Sequence, residues 1–287
     1  MSPGWKRWAQ TTERCAMDRN HWKLLLSAVC VPVWAVAPGH LNRRQRAVFR
    51  GVNYAHRGLH SRDRSVPENS LPAFRQAARE GYGIELDVRL SKDGEVVVFH
   101  DDMLDRVCGV HARVDDLTFD ELRSLRLYGT EEQIPLFSEV LRSIRGTEAL
   151  IVELKNGPRN RELCEKTKAI LDGYRGNVCI ESFNPLIVAW FRFHAPHLVR
   201  GQLATSLKDY TRDGMNIAAA FVLHNTLLNF LSRPQFIAYQ ISRRPLSVRL
   251  CTALGALNIG WTSHEPRCEK NRDAVIFEFY RPRQRYL

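Results

Sequence analysis

His56, Glu85, Asp87, His100 and Glu153, with the cations Arg57 and Lys155, are the residues of this 287-residue chain whose types and spacing could do chemistry together. Each sits in or just after a short strand-like run: YAH at 54–56, GIELDV at 83–88, EVVVFH at 95–100 and ALIVEL at 149–154. Glu85 and Asp87 are two apart, so on a strand their side chains leave the same face and converge. Two inward carboxylates repel each other unless a cation offsets them, and Glu153 adds a third. Three hard oxygen ligands suit Mg²⁺ or Ca²⁺ better than zinc. Arg57 and Lys155 could instead pair with these acids as a plain salt-bridge network; the two histidines favour the metal.

A divalent ion, two histidines and two cationic side chains are what hydrolysis of a phosphodiester requires. A metal polarises a nonbridging oxygen and lowers the pKa of a bound nucleophile. One histidine takes a proton while the other protonates the leaving alkoxide. Arg57 and Lys155 would bind the phosphate oxygens and offset transition-state charge.

Positioning these groups is the task of the intervening elements. Strand-like runs continue through NVCIESF, LVRGQL, FIAYQI, LNIGWT and AVIFEF, and helix-like stretches such as SLPAFRQAAREG, RELCEKTKAILDGY and PLIVAWFRFH lie between several of them. Alternation of this kind predicts an α/β protein with a parallel sheet, and about eight such units favour closure into a (β/α)₈ barrel of the TIM type. The chemical residues then lie at the C-terminal strand ends, where barrel enzymes build their sites. Ser91-Lys92-Asp93-Gly94 reads as a turn, making a hairpin that brings His100 roughly opposite Glu85. Residues 102–135 are polar and of mixed charge, which predicts a small insertion at the barrel mouth. Residues 215–231 form a further apolar run, expected as one buried or membrane-contacting helix.

A composition of 44% hydrophobic and 25% charged residues is that of a folded globular domain. The formal charge of +11 is concentrated at the ends: residues 1–50 carry +7 and Arg281, Arg283 and Arg285 add +3. The nearly neutral centre argues against a nucleic-acid partner, whereas basic residues around an apolar segment suit anionic lipid. That segment, about residues 24–38 within a basic N-terminal stretch of 1–50, is shorter than the ~20 residues that span a bilayer. It is expected to be an uncleaved membrane anchor preceding a barrel domain at 51–287, with the side of the membrane left open; the alternative is an apolar helix packed on the barrel. Seven cysteines without a C-x-x-C pair offer neither a zinc site nor a disulfide framework.

AHRG at 55–58, PENS at 67–70, ELDVRLSKDG at 85–94, VVFHDD at 97–102 and VELK at 152–155 resemble, in order and spacing, the glycerophosphodiester phosphodiesterases. ESFNP at 181–185, RGQL at 200–203 and GWT at 260–262 extend the likeness more weakly. The resemblance implies a barrel of the phospholipase-C-like phosphodiesterase type, with a divalent metal held by Glu85, Asp87 and Glu153 and with His56 and His100 as acid and base. It also implies that Glu68 and Asn69 support the site and that Trp261 lines the pocket for the alcohol moiety. Where the family has Thr-Asp before a proline, this chain reads IFEFYRP with Glu278 and Phe279 in those places, which puts the closing strand's contribution in doubt and leaves the main site intact. The expected reaction is hydrolysis of a glycerophosphodiester to glycerol 3-phosphate and an alcohol. A lysophospholipid- or phospholipid-directed phosphodiesterase at the membrane and a catalytically silent membrane-associated barrel are the alternatives. The alcohol, the choice between Mg²⁺ and Ca²⁺ and the oligomeric state stay open.

Overall fold

A computed structural model describes residues 30–286 except 145, 147 and 148. Eight parallel strands close into a barrel: β1 (Val52–Ala55), β2 (Gly83–Leu90), β4 (Leu150–Leu154), β5 (Val178–Ser182), β6 (Val199–Ala204), β7 (Phe236–Gln240), β8 (Leu257–Ser263) and β9 (Ala274–Phe277). Pairing of β1 with both β2 and β9 completes the ring. The ninth strand, β3 (Val96–Val98), is no stave; it pairs antiparallel with the C-terminal part of β2, beyond the stretch that pairs with β1.

Alternation along the strands sorts the core into two layers. Ile84, Leu86, Val88, Leu150, Val152 and Leu154 pack outward against helices that include Leu71–Arg79 and Phe137–Ile144. Tyr54, Ile151, Cys179, Phe236, Ile259 and Ile276 belong to the other cluster, which also takes in Leu41 and Phe49. Inward positions two residues further along then become polar: His56 follows Tyr54, Glu153 follows Ile151, Glu181 follows Cys179 and Glu278 follows Ile276. A buried apolar floor thus carries a ring of titratable groups at the C-terminal rim.

The expected hairpin forms, with Val88 paired to Val98 and Leu90 to Val96. Carrying that register onward sets His100 level with Leu86, one residue from the expected Glu85. Residues 102–135 form short helices (Asp105–Cys108, Phe119–Ser124) and turns over the mouth. They fold around their own apolar cluster of Leu104, Val107, Val114, Phe119, Leu122 and Leu127, to which β3 contributes Val97.

The apolar run at 215–231 is not one helix. It breaks into Ile217–His224 and Asn229–Ser232, separated at Thr226, whose φ of 50° no helix interior accommodates. Ala220 is the one buried residue of the first piece, while Ile217 and Phe221 stand in solvent. Residues 24–29 of the expected anchor lie outside the described residues. Residues 30–36 are helical and pack on the barrel: Arg233 donates to the carbonyls of Trp34 and Ala37, and Trp34 stacks on Phe230 at 5.4 Å. Among the described residues no helix is long and apolar enough to cross a membrane.

Candidate active site

The turn after β1 starts the site. Arg57 and Gly58 both adopt positive φ, 53° and 80°, so the chain folds back sharply and the Gly58 amide donates to the carbonyls of Ala55 and Glu85. A Cβ on Gly58 would lie 2.9 Å from the backbone of Ala73. The same turn aims the Arg57 amide at Glu85 Oε2, 2.9 Å away. Before the helix Leu71–Arg79, capped by Ser70, Asn69 takes φ 55° and donates through Nδ2 to Asp87 Oδ2 at 2.9 Å. Glu68 beside it accepts from Arg57 Nη1 at 2.6 Å.

Glu85, Asp87 and Glu153 converge as their strand positions require, with one ligand oxygen from each lying within 4.8 Å of the others. Burial, then the charges of Asp87, Glu153 and Glu181, push the Glu85 carboxyl well above the usual carboxylate range. Burial likewise raises Glu153 against the pull of Lys155. Burial also opposes ionisation of Asp87, but Lys155, His100 and Arg57 prevail and hold it below its ordinary value. Lys155 Nζ reaches Glu153 Oε1 at 2.7 Å and Asp87 Oδ1 at 3.4 Å, so part of the salt-bridge arrangement is present too. It does not complete the site: Asp87 Oδ1 is buried without a hydrogen bond, and three acids face two cations. A hard cation with oxygen preference fits this donor set.

Both histidines open on the same cavity, lined also by Arg57, Glu85, Glu153, Lys155, Phe183 and Trp261. Each is tied at Nδ1 to a carboxylate: His56 to Glu278 Oε1 and His100 to Asp101 Oδ1, both at 2.6 Å. Ionised carboxylates only accept, so each Nδ1 carries the proton and each Nε2 is left for other partners. His56 Nε2 lies 3.9 Å from Glu85 Oε2. Burial and then Arg57 lower the His56 pKa; burial and then Lys155 lower that of His100 to about 4. Both imidazoles are therefore neutral near pH 7, fit to take a proton or, once protonated, to give it up readily. Trp261 reaches the same cavity, its ring held by a bond from Nε1 to the Ala238 carbonyl at 3.1 Å.

A model of the glycerophosphoryl diester phosphodiesterase family matches residues 56–278, from the first of these histidines to the carboxylate that holds it. This chain belongs to the glycerophosphoryl diester phosphodiesterase family. Among relatives, the glycerophosphodiester phosphodiesterase of Caldanaerobacter subterraneus subsp. tengcongensis is 37% identical over 162 residues, which is 52% of this chain and 65% of the relative. The chain therefore spans just under two thirds of that relative's length. Glycerophosphodiester phosphodiesterase 1 of Homo sapiens is 28% identical over 235 residues, covering 72% of this chain and 70% of the relative. The structure of an Oleispira antarctica phosphodiesterase in complex with the product sn-glycerol-3-phosphate superposes with a TM-score of 0.66 at 23% identity, over 81% of this chain and 94% of that one, a likeness of fold.

Within this glycerophosphoryl diester phosphodiesterase barrel, several residues matter that the sequence did not single out. Glu278, set aside with the closing strand, binds His56, because the backbone amide of His56 bonds to Phe277 and brings the two strand ends together. The period of two from Ile276 was the available signal. Glu181 sits fully buried in the barrel beside Glu153, and burial and then Glu153 push its carboxyl well above the usual range. Arg106, in the insertion, donates to both Glu68 and Asp101, and Tyr128 donates to Glu68 at 2.9 Å. One arginine thereby ties the insertion to the partners of Arg57 and His100.

Proposed function

We propose that this protein hydrolyses glycerophosphodiesters to glycerol 3-phosphate and an alcohol. The observation that carries this reading is one cavity in which two carboxylate-held histidines face Arg57, Lys155, Glu85 and Glu153, with Asp87 converging on the same two acids. Arg57 and Lys155 bind the phosphate oxygens and orient the diester in the barrel mouth. One histidine takes a proton at Nε2 from the attacking water as its oxygen bonds to phosphorus. The bond from phosphorus to the alcohol oxygen breaks, and the other histidine, protonated beforehand at Nε2 from solvent, gives that proton to the oxygen. Glu278 and Asp101 hold the two rings in the orientation this exchange needs. Glu85, Asp87 and Glu153 would hold a divalent ion, Mg²⁺ or Ca²⁺, which when bound supplies charge to the phosphate oxygens and acidifies the nucleophile. The Asn69 bond holds Asp87 in place for that role.

The test is release of glycerol 3-phosphate from glycerophosphodiesters by the full chain, its His56→Ala variant and its Glu85→Ala variant, in Mg²⁺, Ca²⁺ and chelator. Metal-dependent release abolished by both substitutions supports the reading. Absence of turnover on every diester in both metals would favour the silent barrel.

A membrane location is the second part of the proposal. It is supported by exposed apolar side chains, Trp34 and Phe230 in one stack and Ile217 and Phe221 on the apolar helix. Flotation of the full chain with anionic vesicles, weakened by Trp34→Asp and Phe221→Asp, is the expected result; a chain that stays in the soluble fraction with and without these changes would rule it out.

A further inference from the structure

A second cavity adjoins the catalytic one and shares three wall residues with it, Phe183, Asp213 and Trp261. Beyond that shared wall it is bounded by Tyr210, Met215 and Asp209, all on the stretch between β6 and the apolar helix. The aromatic walls are mutually braced: Phe183 meets Trp261 edge-on at 5.6 Å and Tyr210 edge-on at 6.3 Å. Tyr210 is buried, and its hydroxyl has no hydrogen-bond partner in that wall.

The charges here differ from those of the catalytic cavity. Asp209, Asp213 and Arg212 line the second cavity, two carboxylates to one guanidinium. Arg212 Nη1 bonds to Asp209 at 2.9 Å, and Asp209 also accepts from Ser206 Oγ at 2.6 Å and Thr205 Oγ1 at 3.2 Å, so its charge is engaged within its own helix turn. Asp213 is held only loosely, with Arg212 Nε at 3.5 Å, and its side chain is 67% exposed. One net negative charge therefore stands beside aromatic rings, next door to a cavity whose Arg57 and Lys155 suit an anion.

Aromatic faces with a nearby carboxylate favour an ammonium group over an anion, which Asp213 repels. A neutral polyol finds few polar partners on Phe183, Tyr210 and Met215, and the lining Thr205 and Gln240 are engaged with each other at 2.8 Å. We propose that this cavity takes the alcohol moiety of the diester and selects a cationic amino alcohol of the choline or ethanolamine type, with Asp213 as the specificity-determining carboxylate. This rests on the phosphodiesterase reading above and goes beyond it by naming the class of leaving alcohol. A phosphate seated between the two cavities leaves its cationic alcohol on the Asp213 side and its glycerol on the other.

The experiment compares kcat/KM for glycerophosphocholine and glycerophosphoethanolamine with that for glycerophosphoglycerol and glycerophosphoinositol. Wild type and Asp213→Asn are measured, with thermal melts confirming that the variant is folded. The expected wild-type preference for the cationic diesters is about tenfold, falling to within about twofold of unity in Asp213→Asn. A wild type without preference, or a variant that loses rate equally on all four diesters, overturns the assignment. No turnover of any diester would instead remove the underlying phosphodiesterase reading.

Discussion

Nδ1 of His56 and Oε1 of Glu278 lie 2.6 Å apart, joining the end of the first barrel strand to the end of the last. Burial opposes ionisation of Glu278, but the hydrogen bond from His56, with the His60 ring 3.4 Å away, holds its carboxyl below the ordinary pKa, so it remains an acceptor at neutral pH. It also fixes the tautomer of His56, leaving Nε2 bare on the cavity side.

Loss of this contact should therefore act on turnover. Glu278→Ala is expected to lower kcat by about 10²-fold to 10⁴-fold with little change in KM, the range for misplacing an acid or base. Glu278→Asp should retain part of the rate. Steady-state kinetics separate the two effects, and a change confined to KM would show that Glu278 serves binding.

The acid cluster makes a prediction about stability. Mutual repulsion and burial of Glu85, Asp87 and Glu153 cost stability that a bound divalent ion would relieve. A metal at a hundredfold excess over its dissociation constant should stabilise by about 2.7 kcal/mol, roughly 5 to 10 °C in Tm for a domain of this size. Glu85→Gln should melt no lower than wild type in chelator and lose most of the metal response. Melting curves with Mg²⁺, Ca²⁺ and chelator read this directly; an unchanged metal shift in the variant would place the ion elsewhere.

Glu68 gives the insertion a pH dependence. Burial opposes its ionisation, yet hydrogen bonds from Arg106 and the charge of Arg57 hold its pKa at about 2, against an ordinary 4.5. Because the folded-state value is depressed, its stabilising contribution is complete above about pH 4.5 and is lost as pH falls toward 2. Wild type should therefore lose more stability than Glu68→Gln between pH 5 and 3, as measured by denaturant midpoints. Parallel curves for the two proteins would be the contrary result.

Gly58→Ala tests the turn that aims Arg57. The positive φ and the 2.9 Å approach to Ala73 both penalise a Cβ. A loss of about 1–3 kcal/mol is expected, the range for a strained backbone position. Its effect on kcat/KM should exceed its effect on Tm if the Arg57 amide no longer meets Glu85, and thermal and kinetic measurements on one preparation decide that.

The barrel was legible because strand alternation is a local property. A period of two places Glu85 with Asp87 and Glu153 with Lys155 on one face whatever lies elsewhere in the chain. Alternating strand and helix runs imply parallel staves, and barrel closure sends every C-terminal end to one rim. The positions of His56, Glu85 and Glu153 around one cavity follow from those two facts. The break in the apolar run at 215–231 was not legible in this way, since the hydrophobicity of IAAAFVLH is the same whether the chain continues as a helix or turns at Thr226. The place of β3, by contrast, was legible, because the turn from Ser91 to Gly94 between two strand runs calls for an antiparallel hairpin and not a stave.

Contacts between distant positions were decided by the tertiary structure alone. Glu278 is 222 residues from His56, and only closure of β9 onto β1 brings the longer glutamate arm to the imidazole. Arg106 reaches Glu68, 38 residues away, because the insertion folds on its own apolar cluster and swings one guanidinium over the mouth. Asp213 and Trp261 share a wall because the segment after β6 reaches past β7 to the end of β8 at the same rim. Sequence patterning carries which face a residue occupies, since that depends on its nearest neighbours; which residue meets it across a cavity depends on closure, register and loop path, and those are properties of the folded chain as a whole.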